Sequence, residues 1–128
     1  MVKSFSLHLK SSAIIEKERK STLFELENGT NLKVYIDEII FVETNFRTCV
    51  LNTVRGLYML KKMTLKKVLE LTNQEFILQT HRSYLVNVKF ISNIEKLDKR
   101  ISQIHFDKYE GMALLSYTYR NNVLERLK

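Results

Sequence analysis

Three glycines and no proline punctuate this chain of 128 residues, and each glycine stands where an apolar pattern breaks. Alternating apolar and polar residues mark a strand with one buried face, so the glycines divide the chain into hairpins. Asn28-Gly29 separates Thr22, Phe24 and Leu26 from Leu32, Val34 and Ile36. Both residues of that pair tolerate positive φ, which predicts a type I′ turn. Arg55-Gly56 divides Thr48–Thr53 from 57–61, and Gly111 closes the polar stretch 107–110 between 102–106 and 112–115. Asp98-Lys99 predicts a turn between Ile91–Lys96 and Ile101–Phe106.

Ile39-Ile40-Phe41-Val42 is apolar without alternation, as expected of a strand buried on both faces. A further short strand is expected over 84–88. Thr64 can cap a helix that places Leu65, Val68 and Leu69 on one face and Lys66, Lys67 and Glu70 outside. A second helix is expected over 117–127, with Val123, Leu124 and Leu127 on an apolar face. The charged run Glu16-Lys17-Glu18-Arg19-Lys20 makes residues 1–20 a linker or N-terminal arm, and 21–128 one domain, mainly β with short helices.

Charge narrows the partner class. Residues 1–60 hold 8 Lys/Arg and 7 Asp/Glu, a net of +1, whereas residues 61–128 hold 13 and 7, a net of +6. A basic half favours nucleic acid or an anionic membrane surface, or is simply a solvated face. No apolar run is long enough to cross a bilayer, so a cytoplasmic chain is expected. Cys49 is the one cysteine, which excludes an internal disulfide and a cysteine-based metal site and suits a reducing compartment. His8, His81 and His105 lack ligand spacing, and there is no phosphate loop, dinucleotide fingerprint or nucleophile elbow. No cofactor, small-molecule substrate or enzymatic activity is expected. Helix-turn-helix and zinc-finger patterns are missing as well.

The stretch from Phe76 to Val88, FILQTHRSYLVNV, resembles the central motif of LytTR DNA-binding domains. Upstream, Ile39-Ile40-Phe41-Val42-Glu43 is similar to that family's first core strand. Downstream, Ile91-Ser92-Asn93-Ile94 fits the strand after the motif. The leucine-rich segment 63–71 sits where the family has a short helix, and Tyr119-Arg120-Asn121 precedes its last helix. The resemblance runs from Ser21 to the C-terminus.

It implies an elongated antiparallel β-sheet arrangement and a role in bacterial transcription regulation, as the output half of a two-component response regulator. Loops rather than a recognition helix would enter successive major grooves of double-stranded DNA, with two copies on direct repeats. Carried over by position, the first loop holds Asn45, Phe46, Arg47, Thr48 and Cys49, the second Arg82 and Ser83, the third Arg120 and Asn121. Arginine can donate two hydrogen bonds to guanine O6 and N7. Ser83, Asn121, Lys61 and Lys62 suit phosphate oxygens, which position a protein without reading sequence. His81 and Asn87 are expected to hold local structure. Cys49 stands where some relatives carry a base-contacting polar side chain, and Gln79 where some carry arginine. With no receiver domain in the chain, those two positions motivate the other reading, a protein-interaction module that keeps the fold without specific DNA reading.

Overall fold

The apolar run at Ile39 becomes the middle strand in the computed structural model, which describes residues 19–128. β3 (Ile39–Asn45) lies between β4 (Thr48–Thr53) and β7 (Tyr84–Asn87), with β5 (Gly56–Leu60) and β6 (Ile77–His81) outside them. The order is β5-β4-β3-β7-β6, and every neighbouring pair is antiparallel. β1 (Ser21–Glu25) pairs with β2 (Asn31–Tyr35) as a separate hairpin. β8 (Ile91–Lys96), β9 (Ile101–Phe106) and β10 (Tyr109–Ser116) form a third sheet in the order β10-β9-β8. Two helices complete the described fold, α1 (Leu65–Thr72) and α2 (Arg120–Leu127). The expected arm over 1–20 lies, apart from its last two residues, outside the described residues. Those two are engaged: Arg19 meets Asp37 at 2.8 Å, and the Lys20 carbonyl accepts from Ile36 N–H.

The five-stranded sheet has a hydrophobic core on each face. On one, Ile39, Val42, Cys49, Leu51 and Leu85 pack with Phe24 and Val34 of the hairpin and with Leu65 and Val68 of α1. On the other, Ile40, Phe41 and Val86 pack with Ile104, Phe106, Ala113 and Leu115 of the third sheet and Val123 of α2. The unalternated run in β3 is therefore buried on both faces, as its sequence implies. A register shift against β4 between Ile39 and Phe41 accounts for the consecutive Ile40 and Phe41 sharing one core. Phe41 stacks on Phe106 with ring centroids 5.1 Å apart. Asn87, fully buried, donates from Nδ2 to the Ile39 carbonyl at 2.9 Å and accepts from Lys89 N–H at its Oδ1. The structural expectation for Asn87 holds.

Two turns differ from the sequence reading. The last β1–β2 pair is Glu25 with Asn31, so five residues connect the strands. Gly29 N–H donates to the Leu26 carbonyl, Gly29 alone takes positive φ (+89°), and Asn28 does not. This is a type I turn followed by a left-handed glycine, not a type I′ turn. The Asn28 side chain accepts from Thr30 N–H at 2.9 Å, a local bond that holds Asn28 where it is. Gly111 does not close a loop. The turn is at Asp107-Lys108, and Gly111 lies inside β10 at its register shift. A Cβ there would collide with the Tyr109 ring and crowd Phe41, so what the position demands is space.

The first helix forms as expected, with the Thr64 side chain accepting from Lys67 N–H. The second is shorter than the sequence pattern. A 3₁₀ turn, Tyr117–Tyr119, precedes a helix that begins only at Arg120. Val123 is buried and Tyr119 packs partly buried against the second core, whereas Leu124 and Leu127, expected on the apolar face, are exposed. β6 had no counterpart in the strand reading, and β7 stops at Asn87, one residue before its expected end.

Candidate nucleic-acid interface

Antiparallel order brings three connections to one end of the five-stranded sheet. β3 ends at Asn45 where β4 begins at Thr48, β5 ends at Leu60 opposite Cys49, and β6 ends at His81 beside the start of β7. The turn Phe46-Arg47, the segment Lys61-Lys62-Met63 and the turn Arg82-Ser83 therefore emerge together. Hydrogen bonds fix them to one another. Thr44 N–H donates to the Ser83 carbonyl at 2.9 Å, joining the first turn to the second. Cys49 Sγ donates to the Met63 carbonyl at 3.0 Å, joining β4 to the third segment. Between them lies a shallow groove of about 360 Å³, lined by Thr44, Phe46, Arg47, Lys62, Met63 and Arg82 among others.

His81 sets the shape of the second turn. Its Nδ1 accepts from Ser83 N–H at 3.0 Å, which requires the neutral ring with its proton on Nε2. Burial, and then the neighbouring Arg82 charge, push its pKa below the usual histidine value. The ring also meets Tyr84 edge-on at 5.7 Å. Gln79 Nε2 donates to the His81 carbonyl, so Gln79 braces the same strand end. His81 is thus structural, as expected.

Ion pairs engage only Arg19, Arg55, Lys61 and Arg126 among the described lysines and arginines. Lys61 is bridged to Glu25 at 3.4 Å, Arg55 to Glu38 at 2.8 Å and Arg126 to Glu75 at 3.4 Å, all away from the groove. Among the described residues, Arg47, Lys62, Arg82 and Arg120 have no carboxylate within 4.0 Å. Arg47, Lys62 and Arg82 are exposed and face one groove without counter-charge. Glu43, two residues before the loop end of β3, is half-buried against Tyr84, whose phenol pKa is raised by burial first and then by the Glu43 charge.

The residues picked from sequence divide accordingly. Arg47, Lys62 and Arg82 line the groove, with exposed Asn45 and half-buried Ser83 at its edges. Thr48 donates to Glu27 at 3.3 Å. Arg120 and Asn121 are set apart: they open α2, which packs along β6 with Val123 in the second core. Cys49 is a correction. It is fully buried in β4, with burial raising its thiol pKa, so it offers no surface to DNA and instead anchors the Lys62-Met63 segment. The reason is parity: Cys49 and Leu51 share the inward face of β4. Sequence reasoning missed Thr44 and Met63 in the groove wall, since nothing in their types signals it. A larger concavity of about 790 Å³ opens at the opposite end of the sheet, around Arg55, Phe90 and Lys108, and none of the sequence-picked residues lines it.

Such an arrangement places a cluster of exposed cations on the loops at one end of a β domain. The chain belongs to the LytTr DNA-binding domain family, which it matches over residues 29–128. DNA binding and transcription regulation, in general terms, come with that membership. Among solved structures it is similar to the LytTr DNA-binding domain of a protein described as a methyl-accepting/DNA response regulator from Bacillus cereus. The TM-score is 0.70 at 18% identity, covering 85% of this chain and 97% of that one. No curated protein matches the sequence. No described helix is long and apolar enough to cross a membrane.

Proposed function

We propose that residues 21–128 bind double-stranded DNA sequence-specifically, by inserting loops into major grooves, and that the chain acts as a cytoplasmic response-regulator output domain. The observation that carries this reading is the set of cations without counter-charge on loops at one end of a rigid sheet. Strands in a sheet lie about 4.8 Å apart, so the β3–β4 and β6–β7 turns, two strands apart, are centred roughly 10 Å from each other. The major groove is about 12 Å wide. Arg47 and Arg82 can therefore flank one groove or its phosphate wall, leaving Arg120, beyond β6, to reach further along the duplex. Arg82 and Arg120 take guanine edges in this reading, while Lys62, Ser83 and Asn121 take phosphates. Two copies on a direct repeat would add affinity through effective concentration.

The test is selection of duplexes from a randomised pool, followed by fluorescence anisotropy at two salt concentrations against scrambled DNA. A consensus that outcompetes scrambled duplex is expected. With about four phosphates neutralised, log K should fall with a slope of roughly −3.6 against log salt. Equal binding to all duplexes, erased by salt, would refute specific reading and favour a protein partner for the same basic face.

A further inference from the structure

Phe46 is the most exposed large apolar side chain among the described residues, at 97%. It is the first central residue of the two-residue turn closed by the Asn45–Thr48 pair. Its φ is +60°, while Arg47 after it keeps negative φ. Positive φ at the first position alone is the signature of a type II′ turn, where glycine ordinarily sits. A bulky L residue rarely adopts this conformation. The strain has no return inside the domain: among the described residues no aromatic ring stacks on Phe46 and no cation lies over it. The turn instead holds an apolar ring at its tip, with Arg47, Lys62 and Arg82 around the same groove.

An occupant for that ring must be apolar at one point and anionic on both sides. The major groove of DNA meets this description. Its walls are phosphate, and its floor carries one apolar group, the C5-methyl of thymine, which phenylalanine is able to contact. Intercalating wedges work differently, entering from the minor groove and unstacking a base step. A ring on a narrow turn flanked by cations suits the wide groove. We infer that Phe46 is a specificity-determining residue that reads a thymine methyl. The inference rests on the proposed major-groove reading and adds a base that the arginines do not specify.

Replacing thymine by uracil removes that methyl and nothing else. Starting from a duplex selected by the whole chain, each thymine is replaced in turn by deoxyuridine, and affinity is measured for wild type, Phe46→Ala and Phe46→Gly. Burial of one methyl-sized group corresponds to about a fourfold change in affinity. One thymine is expected at which uracil weakens wild-type binding by about that factor, with the difference abolished in both variants. Phe46→Gly is expected to melt at higher temperature than wild type, because glycine accepts the positive φ at no steric cost.

The inference is overturned if wild type tolerates uracil everywhere in a recovered consensus, or if Phe46→Ala keeps the same thymine-to-uracil ratio. It is also overturned if Phe46→Gly is less stable than wild type, since the ring would then have a structural task. Failure to recover any consensus overturns the sequence-specific reading itself and this inference with it, so the two failures are distinguishable.

Discussion

Truncating Asn87 to alanine separates scaffold from contact within the FILQTHRSYLVNV stretch. The Asn87 side chain is fully buried and joins two distant points: Nδ2 donates to the Ile39 carbonyl, and Oδ1 accepts from Lys89 N–H. The two losses differ in size. Ile39 is 1% exposed, so its carbonyl loses this donor where water has little access, at a cost of about 1–3 kcal/mol. Lys89 is exposed, and its N–H can turn to solvent, costing a few tenths at most. The sum is roughly 2 kcal/mol, or about 8–16 °C in melting temperature for a domain near 100 residues. Urea unfolding followed by circular dichroism measures the stability. Anisotropy at a temperature where the variant is folded measures DNA affinity, which should be unchanged. A stability loss under 0.5 kcal/mol would refute the hydrogen-bond accounting. A loss of affinity in fully folded protein would show that Asn87 also shapes the DNA-facing turn.

Arg82→Ala should do the opposite, leaving stability within about 0.5 kcal/mol while weakening specific binding by about 1–3 kcal/mol; Lys61→Ala, already bridged to exposed Glu25, should cost only a few tenths in a parallel titration. Cys49→Ala should lower stability by about 1–2 kcal/mol through lost burial and the lost Met63 contact, with the base preference of selected duplexes unaltered; a changed consensus would return Cys49 to the interface. His81 has a depressed folded-state pKa, so the unfolded chain binds its proton first. Its contribution is present above the unfolded value near 6.5 and is lost as pH falls through the folded one. Thermal melts across that window should show stability falling with acidification in wild type and a flatter profile in His81→Gln.

Strand alternation and β3 were legible because burial leaves a direct compositional trace: one apolar face gives period two, and two faces give Ile39-Ile40-Phe41-Val42. Gly29 and Gly111 mark the limit of that legibility. A glycine signals that something special occurs, but not whether it is φ, as at Gly29, or space beside Tyr109 and Phe41, as at Gly111. β6 was hidden because its residues run buried, intermediate, intermediate, buried, intermediate, with a register shift before His81 that breaks the period. The arginines of the interface were found by position within a motif. Their lack of ion pairs was invisible, since Lys61 and Lys62 are neighbours of one type and only the fold sets Lys61 against Glu25. Burial of Cys49 also needed the register of β4, which no local pattern supplies.

A net charge of +7 is compatible with any acidic partner, so the choice between DNA and a protein rests on how the charge is distributed. Asp37 and Glu38 are occupied by Arg19 and Arg55, Glu25 by Lys61, and Glu75 by Arg126, all outside the groove. Within the groove, Arg47, Lys62 and Arg82 have no carboxylate partner among the described residues, and the backbone bond from Thr44 and the Cys49–Met63 contact fix the segments that carry them. An acidic peptide needs charge but not that fixity, because a flexible chain adapts to its partner. A duplex is stiff and offers phosphates and base edges at set spacings, so the reader must be stiff as well. Loops braced on a sheet with a core on each face meet that requirement, and the strained turn at Phe46, which a merely electrostatic surface would not need, points the same way.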